Sequence, residues 1–186
     1  LSGRLFGKRT GRPFGIAPMG MCNLSCPGAD IMLAKLAARE SVPHGVSTVA
    51  STDMETLWDV SQGHAWFQLY FSGDGTGSFK LAERARDIGY EVLVLTVDVP
   101  EVGRRPRELR HGFKMPFNIG PRQFVDFALH PQWSLSSLFM GKPQMANFTG
   151  DDKFDRTESR ASADWSYLER LRERWKGKLV VKGVLD

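Results

Sequence analysis

Six polar residues lie at or just beyond the ends of short apolar runs that are distributed along most of this chain. They are residue types that hydrogen-bond a polar ligand or hold a charge near it: Ser47, Gln68, Tyr70, Thr96, Asp98 and Lys182. An amide, three hydroxyls, a carboxylate and an ammonium could together orient a ligand and stabilise charge that develops on it during a reaction. They can do so only if the fold brings these distant positions together.

The apolar runs are predicted to be the strands of a parallel sheet. The runs are 14–20, 45–49, 66–70, 92–98 and 179–183, and the helix-forming segments between them are 29–40, 53–60, 79–88 and a last one from Trp165 to Trp175. Strands that alternate with helices are typical of α/β folds with a parallel sheet. In a β/α barrel the carboxyl ends of the strands converge on one face, so the six polar residues would meet there.

The length of the chain limits how much of such a barrel it can form. Its 186 residues, 41% of them apolar, suffice for one sizeable core. A complete eight-stranded barrel typically needs about 250 residues. We therefore expect a partial TIM (β/α)8 barrel with about five of the eight strands, as one incomplete domain over residues 1–186 that is truncated at both ends. Residues 1–12 are predicted to be an irregular lead-in.

A long insertion after the fourth strand is the second expected feature. Residues 103–160 begin basic, continue aromatic and apolar, and end polar. A segment of this length at the carboxyl end of a barrel strand usually covers or builds the active site. A poorly ordered surface loop is the alternative, although the aromatic content argues against simple disorder.

The remaining composition excludes several kinds of site. Cys22 and Cys26 lack the spacing and neighbouring histidines of a zinc site, so we expect two reduced structural thiols and no metal, with a metal half-site or redox pair as the alternative. No apolar run approaches the length of about 18 residues that a membrane-spanning helix needs. The net charge of +4 permits anionic partners without requiring them, and the aromatic residues do not alternate with basic ones as in a nucleic-acid site.

Four segments carry a family resemblance: Gln68–Tyr70, Thr96–Pro100, Gly103–Arg105 and Val181–Gly183. In this order and spacing the chain resembles the FMN-dependent α-hydroxy-acid dehydrogenases and oxidases. Residues 17–28 and 129–134 are most similar to the mandelate dehydrogenases of that family. The resemblance implies a β/α barrel that binds FMN and oxidises an (S)-2-hydroxy acid to the 2-oxo acid. The alternative is an inactive half-barrel, and we expect the isolated chain to be inactive.

The resemblance also implies a role for each candidate residue. The cofactor-binding set would be Ala17, Pro18, Met19, Gly20, Ser47, Gln68, Thr96 and Lys182. Lys182 would stabilise negative charge on the reduced flavin, while Arg105 and Tyr70 would bind the substrate carboxylate. Asp98 would hold a catalytic histidine that lies beyond the end of this sequence. From the residues alone, Arg105 could belong to a solvated basic face, and Lys182 could be a lysine extending from a strand end into water.

Two departures from the family pattern concern the substrate. Gly20 replaces an alanine of several family oxidases, and Val49 replaces a tryptophan of glycolate oxidase. Both changes are expected to enlarge the space beside the flavin, which favours a bulky 2-hydroxy acid such as mandelate.

The expected partners are the small hydroxy acid and an electron acceptor, with oxygen, a quinone and a cytochrome all left open. The resemblance further implies that the aromatic stretch 117–148 docks on a membrane, while a lid packed on the barrel is the alternative. We expect a cytoplasmic protein, peripheral on the inner face of the membrane if the stretch docks, and a homo-oligomer when complete.

Overall fold

The computed structural model describes residues 2–100, 103, 106–110, 120–141, 143–148 and 163–184. An antiparallel hairpin of β1 (Gly3–Leu5) and β2 (Lys8–Thr10) comes first. A five-stranded sheet follows, and its strands are β3 (Ile16–Met19), β4 (His44–Ser47), β5 (Ala65–Tyr70), β6 (Val92–Thr96) and β7 (Lys178–Lys182). Neighbouring strands are consecutive in sequence and all parallel. This sheet is the wall of a partial TIM-type barrel, as the sequence predicts.

Helices connect the strands and cover one face of the sheet. They are α1 (Cys22–Ser25), α2 (Ala29–Glu40), α3 (Met54–Val60), α4 (Thr76–Ile88), α5 (Pro106–Arg110), α6 (Pro121–Leu129), α7 (Pro131–Met140) and α8 (Trp165–Arg174). Carboxylates cap two of them: Asp53 accepts the Thr56 amide and Asp164 accepts the Tyr167 amide, each at 2.8 Å. The predicted helices are confirmed, although α4 begins at Thr76 rather than at residue 79.

The core lies between the sheet and the helices. Alternate residues of the central strands supply it, among them Phe67 and Leu69 of β5 and Leu93 of β6, all fully buried. Small side chains on the helices, such as Ala34 and Ala85, allow close packing against the strands. The opposite face of the same strands is thereby left for the polar side chains, because side chains alternate between the two faces of a strand.

The hairpin at residues 3–10 contradicts the predicted irregular lead-in. Its turn residue Phe6 packs against Trp66 in a tilted arrangement, with ring centroids 5.4 Å apart. The Lys8 Nζ contacts the Glu91 Oε2 at 2.7 Å, just before β6. These partners lie at the amino ends of the barrel strands, so the hairpin lies across the end of the sheet opposite to the predicted site.

The described parts of the predicted insertion 103–160 are largely helical. Helices α6 and α7 form a pair in which Phe127 and Trp133 stack at 5.2 Å. The Trp133 indole donates to the Leu24 carbonyl at 3.0 Å, which fastens α7 to α1. In the ranges that the structure describes, no helix is both long enough and apolar enough to cross a membrane.

Candidate functional site

Five of the six predicted polar residues share the inner face of the sheet. In the strand register Ser47 pairs with Gln68, and Tyr70 and Lys182 both pair with Thr96. Paired residues, and residues two apart on one strand, point to the same face of a sheet. Four of the five are the last residues of their strands, and Gln68 lies two residues before the end of β5. The structure therefore brings them together at the carboxyl ends.

A buried hydrogen-bond network joins three of these side chains. The Ser47 hydroxyl donates to the Gln68 Oε1 at 3.2 Å, and the Gln68 Nε2 donates to the Thr96 Oγ1 at 3.0 Å. The side chain of Gln68 is only 1% exposed, so both ends of its amide are held by protein groups. This network fixes the orientation of the amide across three adjacent strands.

Thr48 belongs to the same network, although the sequence did not single it out. Its hydroxyl donates to the Gln68 carbonyl at 2.6 Å and accepts the Tyr70 amide at 3.2 Å. Its own amide donates to the Gln68 Oε1 at 3.4 Å. Thr48 thus continues the pairing of β4 with β5 beyond the last strand residue. The available sequence signal was a second hydroxyl directly after Ser47.

Lys182 and Asp98 form an ion pair at the edge of this row. The Lys182 Nζ lies 3.1 Å and 2.9 Å from the two oxygens of the Asp98 carboxylate. The predicted strand over 92–98 ends at Thr96, so Asp98 lies beyond β6 and is exposed rather than buried at a strand end. The pair therefore keeps both charges close to the polar row and accessible to water.

Gly183 makes the close approach of Asp98 possible. It has a φ of +110°, a conformation that side chains disfavour. A Cβ at this position would lie 2.8 Å from both the Cγ and the backbone nitrogen of Asp98. The segment after β6 can therefore lie against the end of β7 only because residue 183 lacks a side chain.

The β3 segment 17–20 borders the same row. A Cβ on Gly45 would lie 2.7 Å from the Cδ of Pro18, which shows how closely the β3 main chain approaches β4. A Cβ on Gly20 would lie 3.7 Å from the Ser47 Oγ. Beyond Gly20, the Met21 amide donates to the Val49 carbonyl at 3.0 Å. The main chain of this segment is thus adjacent to the hydroxyl of Ser47.

The two substrate-related positions prove to be neighbours. A Cβ on Gly20 would lie 2.6 Å from the Cγ2 of Val49. The volume that alanine would use at position 20 is therefore already taken by the valine methyl. Gly20 thus accommodates Val49, and the expectation that both changes enlarge the space beside the flavin stays a prediction.

The structure describes only one of the two predicted substrate ligands. Tyr70 is half-buried at the end of β5. Arg105 lies outside the described residues, as does the neighbouring Arg104. The role of Arg105 stays a prediction from the sequence.

The two cysteines differ in their surroundings, since Cys22 is half-buried and Cys26 is exposed. Burial, reinforced by the nearby Asp30 carboxylate, raises the pKa of Cys22 to about 12, so this thiol stays protonated at neutral pH. Asp30 itself accepts the amides of Ser51 and Thr52 at 2.8 Å and 2.9 Å, which ties α2 to the loop after β4. Burial raises the pKa of Asp30. No cluster of potential metal ligands occurs within the described part of the chain.

Of the described histidines, none is at the carboxyl end of a strand. His44 begins β4 and is buried, which lowers its pKa to about 4. His64 precedes β5, and His130 lies between α6 and α7. His111 falls outside the described residues. A base for substrate deprotonation is therefore not supplied by the histidines that the structure describes.

A sequence model described as FMN-dependent dehydrogenase matches residues 1–186. The chain belongs to this family. It is 34% identical over 194 residues to (S)-mandelate dehydrogenase of Pseudomonas putida, covering 100% of this chain and 49% of that protein. It is 33% identical over 203 residues to an L-lactate dehydrogenase of Ectopseudomonas mendocina, covering 100% of this chain and 52% of that protein.

Solved structures show the same relationship. The monotopic membrane protein (S)-mandelate dehydrogenase superimposes with a TM-score of 0.87 at 34% identity, over 100% of this chain and 52% of that one. A mandelate oxidase superimposes with a TM-score of 0.75 at 31% identity, over 100% of this chain and 46% of that one. The chain thus spans about half the length of these relatives.

The residues present suit the cofactor of this family. The pyrimidine edge of a flavin alternates hydrogen-bond donors and acceptors, and it becomes negative when the flavin is reduced. The amide of Gln68, the hydroxyls of Ser47 and Thr96, and the ammonium of Lys182 offer matching groups on one face. The closely packed β3 main chain borders that row and leaves no side chain at Gly20. The donor set therefore fits FMN.

Proposed function

We propose that the full-length protein uses FMN to oxidise a 2-hydroxy acid to the corresponding 2-oxo acid. The observation that carries this proposal is the polar row Ser47–Gln68–Thr96, which ends at the ammonium of Lys182. Membership of the FMN-dependent dehydrogenase family supports it, as does similarity to proteins that are named for mandelate and lactate.

The inner-face residues have defined tasks in this proposal. FMN, when bound, accepts a hydride equivalent from the substrate carbon that carries the hydroxyl. Gln68 would donate the amide N–H that does not bind Thr96, and the hydroxyls of Ser47 and Thr96 extend this row on either side. Lys182 holds a positive charge where negative charge develops, a form of electrostatic stabilisation that needs no reorganisation during the reaction. The main chain of residues 17–20 borders the ring.

The substrate would be held and deprotonated by a second set of groups. A guanidinium binds a carboxylate through two parallel hydrogen bonds, which is the task we assign to Arg105, together with the Tyr70 hydroxyl. Asp98 would orient a histidine base supplied from outside this sequence. Its ion pair with Lys182 would hold the carboxylate close to the reacting region.

The two lysines of β7 provide a direct test. Lys182→Met removes the ammonium at the carboxyl end, whereas Lys178→Met removes one at the amino end, where the Lys178 Nζ lies 5.8 Å from the centroid of the Phe6 ring. In the full-length protein we expect Lys182→Met to weaken FMN binding, measured by fluorescence titration. The two-electron potential should become about 30 mV more negative, equivalent to about 1.4 kcal/mol. Lys178→Met should match the unsubstituted protein.

Two results would contradict the proposed function. One is that the unsubstituted full-length protein binds no FMN. The other is that bound flavin is not bleached under anaerobic conditions by mandelate, lactate or glycolate. Equal effects of the two lysine substitutions would instead contradict the role of Lys182.

We further propose a bulky substrate such as mandelate, supported by the similarity to mandelate dehydrogenase and by the smaller side chain of Val49 where glycolate oxidase carries a tryptophan. The measurement is kcat/KM for mandelate, lactate and glycolate with the same enzyme preparation. Values for lactate or glycolate at or above that for mandelate would contradict this preference. Anaerobic reduction followed by mixing with oxygen, a quinone or a cytochrome identifies the electron acceptor.

Peripheral membrane docking through residues 117–148 is a second proposed activity. Helices α6 and α7 expose apolar side chains, from 56% exposure for Leu135 to 86% for Phe139. Trp133 and Met140 pack on the α1–α2 region. These contacts support a position for α6 and α7 at the rim of the barrel, with the other apolar residues of the two helices exposed. The similar (S)-mandelate dehydrogenase is a monotopic membrane protein.

Liposome sedimentation distinguishes docking from a lid. The double substitution Leu138→Asp and Phe139→Asp should abolish co-sedimentation of the full-length protein with anionic vesicles. It places charges on the helix face that would enter the membrane, where a charged side chain is costly. Trp165→Asp is the matched control, since this side chain is 79% exposed on α8. Absence of co-sedimentation before any substitution would leave only the lid. We also propose a cytoplasmic location and a homo-oligomeric state, which fractionation and light scattering test.

A further inference from the structure

Asn147 is a fully hydrogen-bonded polar side chain at the base of the candidate site. It is only 2% exposed. Its Nδ2 donates to the carbonyls of Ser47 and Thr48, both at 3.1 Å, and its Oδ1 accepts the Met54 amide at 2.9 Å. A single amide therefore holds the end of β4 and the first residue of α3 at the same time.

Two of the three residues that the Asn147 side chain binds, Ser47 and Thr48, also bind the side chain of Gln68. The Ser47 hydroxyl and the Thr48 amide both donate to the Gln68 Oε1, at 3.2 Å and 3.4 Å. The carbonyl of Ser47 and the carbonyl of Thr48 lie on the other side of the same stretch of main chain. The orientation of the Gln68 amide is thus fixed through a main-chain segment whose carbonyls are bound by Asn147.

The turn that carries Asn147 is anchored independently of its side chain. The Ala146 amide donates to the Ala50 carbonyl at 3.0 Å, and the Arg84 Nη1 donates to the Asn147 carbonyl at 3.0 Å. Arg84 is itself held by both oxygens of Glu55, at 2.6 Å and 2.7 Å. Truncating the Asn147 side chain should therefore leave the turn in place and release only the end of β4 and the Met54 amide at the start of α3.

We propose that Asn147 is a positioning residue for the FMN site, acting through Ser47 and Thr48 on the amide of Gln68. This inference rests on the proposed FMN-dependent function. It assigns a role to the part of the insertion that carries Asn147. This part attaches the insertion to the end of β4 and does not merely cover the site. A chain without this amide would leave the Thr48 carbonyl and the Met54 amide without this partner, while the Ser47 carbonyl would keep only its bond from the Ala50 amide at 3.0 Å.

The test measures FMN affinity and stability together in the full-length protein. For Asn147→Ala we expect the FMN dissociation constant to rise about tenfold or more, as the loss of buried hydrogen bonds implies. The visible absorption spectrum of any bound flavin should shift, because the Gln68 amide that faces the ring is no longer fixed. Thermal unfolding of the FMN-free protein records the loss of stability separately.

Tyr167→Phe is the matched control, because it also removes a buried hydrogen bond, but one that involves none of Ser47, Thr48 and Gln68. The Tyr167 hydroxyl donates to the Ser78 Oγ at 2.9 Å, between α8 and α4. This variant should lower the melting temperature while the FMN dissociation constant stays within twofold of the unsubstituted value. A comparable loss of FMN affinity in both variants would show that only general stability is involved, and the inference would be wrong.

Asn147→Asp provides a second variant with a built-in reversal. It keeps an acceptor for the Met54 amide, but it places the second carboxyl oxygen against the carbonyls of Ser47 and Thr48. The ionised form repels them, whereas the protonated form can donate one hydrogen bond. Relative to the unsubstituted protein at each pH, FMN affinity should be at least tenfold weaker at pH 8 and recover several-fold at pH 5.5.

The outcomes separate the two proposals. If Asn147→Ala lowers the melting temperature but leaves the FMN dissociation constant within twofold and the spectrum unchanged, Asn147 only stabilises the fold. If that variant does not fold, Asn147→Asp decides, and an affinity equal to that of the unsubstituted protein at both pH values overturns the inference. If the unsubstituted protein binds no FMN, the proposed function and this inference both fail.

Discussion

Replacing Gly183 by alanine adds only one methyl group, but it should strongly destabilise the chain. The backbone at this position has a φ of +110°, which costs a residue with a side chain about 1 kcal/mol or more. The added Cβ would also lie 2.8 Å from the backbone nitrogen and the Cγ of Asp98, and relieving such an overlap costs roughly 1–3 kcal/mol. We expect a loss of about 3 kcal/mol in the free energy of unfolding, with Asp98 displaced from Lys182.

Gly7→Ala separates the two contributions. Gly7 has a φ of +83° and no atom within 4 Å of a Cβ placed on it, so it carries the backbone cost alone. Urea unfolding followed by far-ultraviolet circular dichroism gives the free energy for both variants. If Gly183→Ala costs no more than Gly7→Ala, the segment after β6 does not pack on the end of β7 as described, and the reasoning about Asp98 is refuted.

Three further substitutions probe other contacts. Burial lowers the pKa of His44 to about 4, so unfolding takes up a proton as pH falls below 6.5, and about 2 kcal/mol of stability should be lost between pH 7.5 and 5. His44→Gln should remove that part of the pH dependence in urea titrations; an unchanged slope would contradict it. Asp30→Ala leaves two amides without an acceptor and should cost about 2–4 kcal/mol, more than Asp74→Ala at an exposed cap. Trp133→Phe loses the bond to the Leu24 carbonyl, so residues 120–141 should be cleaved faster in limited proteolysis, and unchanged rates would argue against that attachment.

The strands and main helices could be predicted because burial imposes a period on the sequence. Residues of β6 are buried on both faces and therefore form an uninterrupted apolar run. The hairpin of β1 and β2 has no such pattern, since three of its six strand residues are basic and four are exposed. Its stabilising contacts, Phe6 with Trp66 and Lys8 with Glu91, join positions far apart in sequence. The secondary-structure propensities of the hairpin residues do not indicate such contacts.

The same distinction applies to the site. Ser47, Gln68 and Thr96 were identifiable because a polar residue at the end of a buried strand is conspicuous. Asn147 was not identifiable, because it lies in an irregular turn and its partners at the end of β4 are distant in sequence. The exposure of Asp98 depends on where β6 stops, and strand ends are set by hydrogen bonds rather than by hydrophobicity.

The sheet order of β3 to β7 has a consequence for how the chain can form during synthesis. Because spatial neighbours are also consecutive in sequence, each new strand emerges from the ribosome when the strand it pairs with has already been made. The contacts between Ser47, Gln68 and Thr96 can therefore close as soon as β6 is available. Asn147 is synthesised later and hydrogen-bonds the end of β4 after β4, β5 and β6 can already have paired. Lys182 is synthesised after Asn147, so its ammonium is added to a row whose hydrogen bonds can already have formed.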